Sequence, residues 1–324
     1  MVQHFKVKDT DDGARFDVYL SEVLSLSRGK VQRLIKDGIV MVNGKLAKSG
    51  LKLSTGDEIE VPEIQEYQRV KISAAELDIL FEDDDVIVIN KPSGLLVHRA
   101  NETDHSSTLV DGLLAHYPEI ATVGDDPVER PGIVHRLDKT ASGVMIVAKN
   151  QEAFEHLKEQ FRSRRAQKKY IALVYGKIDE AAGEINFRIG RSKRTGKMVA
   201  KPANEAPPSR GLAGSRHGKA GGKGKEAITL FEVIDRFAVA TLLRVEIKTG
   251  RTHQIRAHLQ AYDHPVVGDP LYKKKQMTNI RPIELGRLFL HAAKLTIELP
   301  SGETKTFEAP LPDELANLLT KLKK

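Results

Sequence analysis

Three stretches of the chain combine residue types that can do chemistry. In Gly132–Asn150, GIVHRLDKTASGVMIVAKN, the charged cluster His135, Arg136, Asp138 and Lys139 lies between a short apolar segment and the apolar run Gly143–Ala148. Such a loop is held at both ends, which is where rigid scaffolds present reactive groups. Positive neighbours favour the charged form of a carboxylate, and a held, ionised carboxylate serves as nucleophile or base. The same spacing also suits an ordinary salt-bridged loop aspartate. The second stretch is Thr249–Leu259, TGRTHQIRAHL. Thr252 is placed to cap a helix beginning at His253, with Arg256 in its first turn and Ile255 and Leu259 facing the core. A guanidinium on a rigid element can make a fixed pair with a carboxylate; without a partner it is a surface arginine. In the third stretch, Gln167–Ala172, Tyr170 opens a strand after a basic cluster. Its ring can pack on a base and its hydroxyl can carry a proton, or it can simply fill the core.

Other motifs fail on their spacing. HRLD is not a kinase catalytic loop, because it has an extra Leu137 and lacks the asparagine five residues after the aspartate. GKAGGKGK breaks the phosphate-loop pattern at Lys219 and Glu226. His253 and His258 are five residues apart, so they do not share a helix face well enough to hold a metal. No metal or cofactor is expected.

The elements that must position these groups follow from periodicity. Strands are expected at Val86–Ile89, closed by Pro92, and at Gly143–Ala148, Tyr170–Tyr175, Ile228–Ile234, Ala238–Ile247 and Lys294–Leu299. Helices are expected at Leu109–His116, Gln151–Arg162, His253–Tyr262 and Asp313–Leu322. Strands dominate without regular alternation, which predicts an α+β domain with a mixed, largely antiparallel sheet over residues 77–324. Ahead of it, residues 65–76 read as a polar linker.

Residues 1–64 read as a small α/β module: a helix over Arg15–Leu24, a second over Arg28–Asp37 capped by Ser27 and stopped by Gly38, then strands turning at Asn43-Gly44. The second helix carries Arg28, Lys30, Arg33 and Lys36 outside its apolar face. These suit phosphate contact, although a solvated helix face looks the same. A second basic region, Arg191–Lys225, has ten Lys or Arg, one acid and seven glycines, and cannot bury enough apolar surface to order itself. Its middle, 204–224, is expected to be a flexible basic loop.

The net charge of +7 favours polyanionic partners. The chain has no cysteine, which excludes disulfides, thiolate metal sites and cysteine nucleophiles. The N-terminus lacks a signal pattern and no apolar run approaches a membrane span. A cytoplasmic monomer is expected.

The two small helices and hairpin resemble the alpha-L RNA-binding domain. Asn90-Lys91-Pro92-Ser93-Gly94, His135-Arg136-Leu137-Asp138, Lys168-Lys169-Tyr170 and Gly250-Arg251-Thr252-His253-Gln254-Ile255-Arg256, in this order, resemble the RluA-type pseudouridine synthases. The likeness is to the branch (RluC/RluD-like) with an N-terminal alpha-L domain that modifies large-subunit ribosomal RNA, and it runs from about residue 14 to 312. It implies a pseudouridine synthase fold and isomerisation of uridine in structured RNA without a cofactor. By motif position, Asp138 matches the catalytic aspartate, attacking either ribose or base. Arg256 matches the arginine that pairs with it, and Tyr170 the tyrosine that stacks on the base. Arg136 matches the residue that helps flip the uridine, a step required because a stacked, paired base cannot turn inside a helix. Arg251, with Arg28, Lys30 and Arg33, is expected to bind RNA. The segment from Arg191 to Lys225 is longer and richer in glycine than the family usually carries, which bears on substrate choice. Competing readings are the same chemistry on tRNA and a non-catalytic RNA-binding ribosome-assembly protein.

Overall fold

The computed structural model describes residues 2–24, 31–32, 35, 40–62, 77–99, 107–192, 195–201, 224–272 and 283–323. Arg28, Lys30 and Arg33, the linker 65–76 and residues 204–223 of the expected basic loop lie outside the described residues. The chain divides into two compact units.

The smaller unit contains β1 (Val2–Lys6), α1 (Phe16–Val23), β2 (Met41–Val42), β3 (Lys45–Leu46) and β4 (Glu58–Pro62), with antiparallel strands in the order β1-β4-β2-β3. Asn43 and Gly44, at φ 50° and 69°, make the tight turn between β2 and β3 that needs two left-handed residues. Phe16, Tyr19 and Leu20 of α1 pack on Val31, Ile35, Ile59 and Val61. Val23, the last residue of α1, is 39% exposed.

The larger unit contains β5 (Ile79–Glu82), β6 (Val86–Lys91), α2 (Leu109–His116), β7 (Ser142–Ala148), α3 (Gln151–Arg162), β8 (Gln167–Tyr175), β9 (Ala182–Ile185), β10 (Arg188–Arg191), β11 (Met198–Lys201), β12 (Thr229–Arg236), β13 (Ala240–Ile247), α4 (Gln254–Ala261), β14 (Leu290–Glu298), β15 (Thr304–Glu308) and α5 (Asp313–Leu322). Strands run in the order β5-β6-β7-β14-β8-β13-β12-β9, with β15 on the second half of β14. Among the described residues its one parallel joint is between β14 and β7, so the sheet is mixed and largely antiparallel, within an α+β fold. At that joint a Cβ on Gly143 would sit 2.2 Å from the Ala292 carbonyl oxygen, so only glycine lets the two backbones close.

All seven residues of β7 are buried, as a strand covered on both faces requires. The helix over Gln151–Arg162 forms with Ala153, Phe154 and Leu157 inward, and the Asn150 side chain caps it by accepting from the Ala153 N–H at 2.9 Å. The ribbon of β10 and β11 packs Ile189, Met198 and Ala200 with Ala257 of α4 and Tyr272.

Candidate active site

The Asp138 loop is anchored on both sides by ordinary local forces. At its start, Gly132 sits at φ 68°, where a Cβ would lie 2.4 Å from the Ala148 carbonyl oxygen. His135 accepts the Ile146 N–H at 3.1 Å and stacks on Phe161 with ring centroids 4.4 Å apart. Leu137 points into the core. Beyond Asp138, the Asn90–Gly94 segment grips the chain. The Gly94 N–H donates to the Lys139 carbonyl at 2.8 Å, and the Ser93 hydroxyl donates to the Thr140 carbonyl at 2.8 Å. Lys91 is fully buried, and its Nζ donates to the carbonyls of Pro92 (2.7 Å), Leu95 (2.8 Å) and Lys139 (3.4 Å). Burial, reinforced by the Arg287 charge and opposed by Asp138, pushes its ammonium down to about 7.

Arg256 comes from the other end of the chain. The helix that carries it begins one residue later than expected, and Thr252 does not cap it. His253 occupies the cap position in a left-handed conformation, φ 53°, with no side-chain cap bond. The approach is instead fixed by a buried amide. Gln254 Oε1 accepts from the Thr249 hydroxyl (2.6 Å) and the Arg251 N–H (3.1 Å), while its Nε2 donates to the Ile228 carbonyl (2.9 Å) and Thr229 Oγ1 (3.1 Å). The Thr229 hydroxyl in turn donates to His258 Nδ1 (2.9 Å), whose Nε2 donates to the Phe187 carbonyl (3.0 Å). Burial holds His258 down at about 4, which keeps the ring neutral, as this chain of donors requires.

Arg256 is 2% exposed and bridges two carboxylates. Its Nε and Nη2 reach Asp269 at 2.7 and 2.8 Å, and its Nη1 reaches Asp138 Oδ2 at 3.0 Å. Its guanidinium also lies over the Tyr272 ring, 5.0 Å from the centroid. Burial works against the charge on Arg256, but the bonds and charge of Asp269, then of Asp138, outweigh it and raise its pKa further. Burial likewise opposes ionisation of Asp269, and the Arg256 bonds win, so its carboxyl stays below the usual range. Two backbone N–H groups, from Leu271 (2.8 Å) and Tyr272 (3.0 Å), also donate to Asp269. Gly268, at φ 74°, makes this turn possible, since a Cβ there would be 1.9 Å from the Arg287 carbonyl oxygen.

Asp138, Tyr170, Arg256, Arg136 and Arg251 all line one cleft of about 450 Å³. That size lies within the roughly 300–1,000 Å³ of ligand pockets. Among the described residues Asp138 is the only acid in the lining, beside Arg136, Arg162, Arg164, Lys168, Lys248, Arg251 and Arg256. The Tyr170 hydroxyl is raised well above the ordinary tyrosine value by burial and then by the Asp138 charge, so it stays protonated. Arg136 is exposed, and its Nη1 donates to His98 Nε2 at 3.0 Å. Arg251 leans away, its Nε donating to the Glu226 carbonyl at 3.1 Å. His253 stands 3.9 Å from Asp138 Oδ1 and is held through Nδ1 by the Tyr272 hydroxyl at 3.0 Å.

Sequence reasoning did not single out Asp269, Tyr272 or the anchoring role of Lys91. Gly268-Asp269-Pro270 has the composition of an ordinary turn, and its only local signal was a glycine next to an acid. Lys91 stood inside a quoted motif, but a lysine read from sequence defaults to the surface.

The RNA pseudouridylate synthase family model matches residues 85–261, and the S4 domain model matches residues 14–59. The chain is 38% identical to an uncharacterized RNA pseudouridine synthase of Bacillus subtilis, over 96% of this chain and 94% of that one. It is 37% identical to the ribosomal large subunit pseudouridine synthase D of Nitrosomonas europaea, over 97% and 86% of the two chains. Among solved structures, human RNA pseudouridylate synthase domain containing 4 superposes with a TM-score of 0.58 at 25% identity, over 76% of this chain and 93% of that one.

Proposed function

Because the chain belongs to the RNA pseudouridylate synthase family, an isomerase family acting on RNA, we propose that its target is large-subunit ribosomal RNA and that Asp138 is its essential catalytic residue. The observation that carries the site assignment is the 3.0 Å bond from Arg256 Nη1 to Asp138 Oδ2 inside a cleft of nucleotide size. The choice of RNA is supported by relatives from Nitrosomonas europaea and Vibrio parahaemolyticus that are named for the large ribosomal subunit, and by the S4 domain match.

The reaction breaks the bond between uracil N1 and ribose C1′, turns the base, and joins C5 to C1′. C5 loses a proton and N1 gains one, so no atom is added or removed overall. Asp138 supplies the held negative charge, and Arg256 fixes the carboxylate's direction so that only Oδ1 is free of it. Tyr170 offers its ring to the base and its protonated hydroxyl as a donor. Arg136, at the exposed end of the loop, fills the space that a flipped uridine leaves. Flipping costs a few kcal/mol of unstacking, which contacts in the cleft must supply. Arg251 and the basic residues of the N-terminal module, Arg28, Lys30 and Arg33, hold the RNA backbone. The protein works as a monomer in the cytoplasm; among the described residues no helix is long and apolar enough to cross a membrane.

Two measurements test this. Asp138→Asn should lower pseudouridine formation by about a thousandfold or more while RNA binding persists; a full-rate variant sinks the assignment. Mapping pseudouridines in total RNA from cells with and without the protein should show sites lost from large-subunit ribosomal RNA. Losses confined to tRNA would move the target and leave the chemistry intact.

A further inference from the structure

The seven Lys and Arg side chains that line the cleft among the described residues are not equivalent. Arg256 is held by Asp138 and Asp269, Arg162 by Glu159, Lys248 by Glu246 and Arg164 by Glu226. Arg136 donates to His98 and Arg251 to the Glu226 carbonyl. Lys168 alone has neither a carboxylate nor a hydrogen-bond acceptor among the described residues. Its Nζ instead rests 5.3 Å from the centroid of the Phe161 ring, over the residue on which His135 stacks.

Lys168 is half-buried, and burial lowers its pKa with no acid among the described residues opposing that shift. A partly desolvated cation without a counter-charge is costly and persists where something else supplies the anion. Lys168 lies two residues before Tyr170 on β8, so both side chains leave the same face of the strand, and both line the cleft. Asp138, the one acid of the lining among the described residues, is already engaged by Arg256, so the protein's described lining offers no acid to Lys168 and a bound ligand can supply one. The anionic group that RNA carries on every nucleotide is its phosphate.

We propose that Lys168 binds a backbone phosphate of the nucleotide that enters the cleft, and so sets how the target uridine is seated beside Tyr170. This rests on reading the cleft as the uridine site. It makes Lys168 a substrate-binding residue that contributes to affinity for the RNA and leaves the bond changes at Asp138 untouched.

The test uses the full chain and an unmodified transcript of large-subunit ribosomal RNA. Lys168→Met keeps the apolar stem over Phe161 and removes the charge; Lys168→Arg keeps the charge. Lys168→Met should raise KM about tenfold with kcat within about twofold, and Lys168→Arg should recover most of the loss. The slope of log affinity against log salt should become shallower by about 0.7–0.9, the value of one phosphate contact. Unchanged KM and salt slope in a normally folded Lys168→Met protein overturns the proposal in favour of packing on Phe161. A fall in kcat at saturating RNA with an unchanged slope also overturns it, and moves Lys168 to the uracil. Salt slopes are read from binding and need no turnover. If the wild type bound the transcript without forming pseudouridine, the reading of its substrate would fail while the phosphate contact was still decided.

Discussion

Asp269 takes two of the three guanidinium nitrogens of Arg256, at 2.7 and 2.8 Å, and leaves Nη1 as the donor to Asp138. Asp269 therefore decides how Arg256 meets the catalytic candidate: by one bond, at one oxygen. Without it, the guanidinium would be free to turn and close on both oxygens of Asp138. Asp269→Asn keeps an acceptor but removes the buried anion, and should lower kcat by about 10–100-fold with stability reduced by about 3 kcal/mol. Saturating kcat and the urea midpoint are the measurements. A variant with wild-type kcat would show that Arg256 needs no support from behind.

Arg136 should matter in proportion to how firmly the target uridine is stacked. Arg136→Ala is expected to slow turnover on a paired target by about 10-fold or more, with a smaller loss when the uridine is mismatched, because unstacking then costs less. Single-turnover rates on matched and mismatched transcripts decide this. Equal losses on both would take Arg136 out of base flipping.

Acid should unfold the larger unit through its buried histidines. His98 and His258 are held at about 4 by burial, with the Arg136 charge adding to the effect at His98, against an ordinary value of 6.5. The folded value lies below the unfolded one, so between pH 6.5 and 4 the unfolded chain binds more protons. Stability is therefore full above about pH 6.5 and falls as pH drops, by roughly 1.4 kcal/mol per pH unit for each histidine. Urea midpoints from pH 7 to 4.5 should show this fall. His258→Gln, which can reproduce both ring hydrogen bonds, should be less stable at pH 7 but show a shallower pH dependence. Parallel curves for the two proteins would remove His258 from the account.

Residues 204–224 carry Arg210, Arg216, Lys219 and Lys223 against a single acid, Glu205. Deleting them should weaken RNA binding and flatten its salt dependence, since each lost phosphate contact removes a released counterion. A salt titration with identical slopes for the deleted and full chains would make the segment an inert linker.

Much of the scaffold was legible in residue order because its causes are local. The helices Leu109–His116, Gln151–Arg162 and Asp313–Leu322 carry their periodicity within one or two turns, and two also carry a cap. The turn at Asn43-Gly44 and the closed strand ending before Pro92 are likewise written in neighbouring residues. The start of the helix carrying Arg256 misled for the opposite reason. Thr252 has the right chemistry for a cap, but the buried bonds of Gln254 to Thr249 and Ile228 bend the chain through a left-handed His253 instead.

The residues that form the centre were readable one motif at a time; their distances to one another were not. Asp138 and Arg256 are 118 positions apart, and nothing local to either states that a guanidinium nitrogen lies 3.0 Å from a carboxylate. That contact depends on sheet order: β7 follows the Asp138 loop, β13 leads into α4, and β14 and β8 lie between them. Lys91 and Asp269 gain their roles only in three dimensions, one when three carbonyls close around its ammonium and the other when Gly268 turns it beneath Arg256. Sequence alone determined which groups the chain possesses and which short segments hold them, because propensity and periodicity act over a few residues. Tertiary structure alone decided which charges meet and which, like that of Lys168, find no acid among the described residues, because a charge's partner is set by proximity in space and by burial.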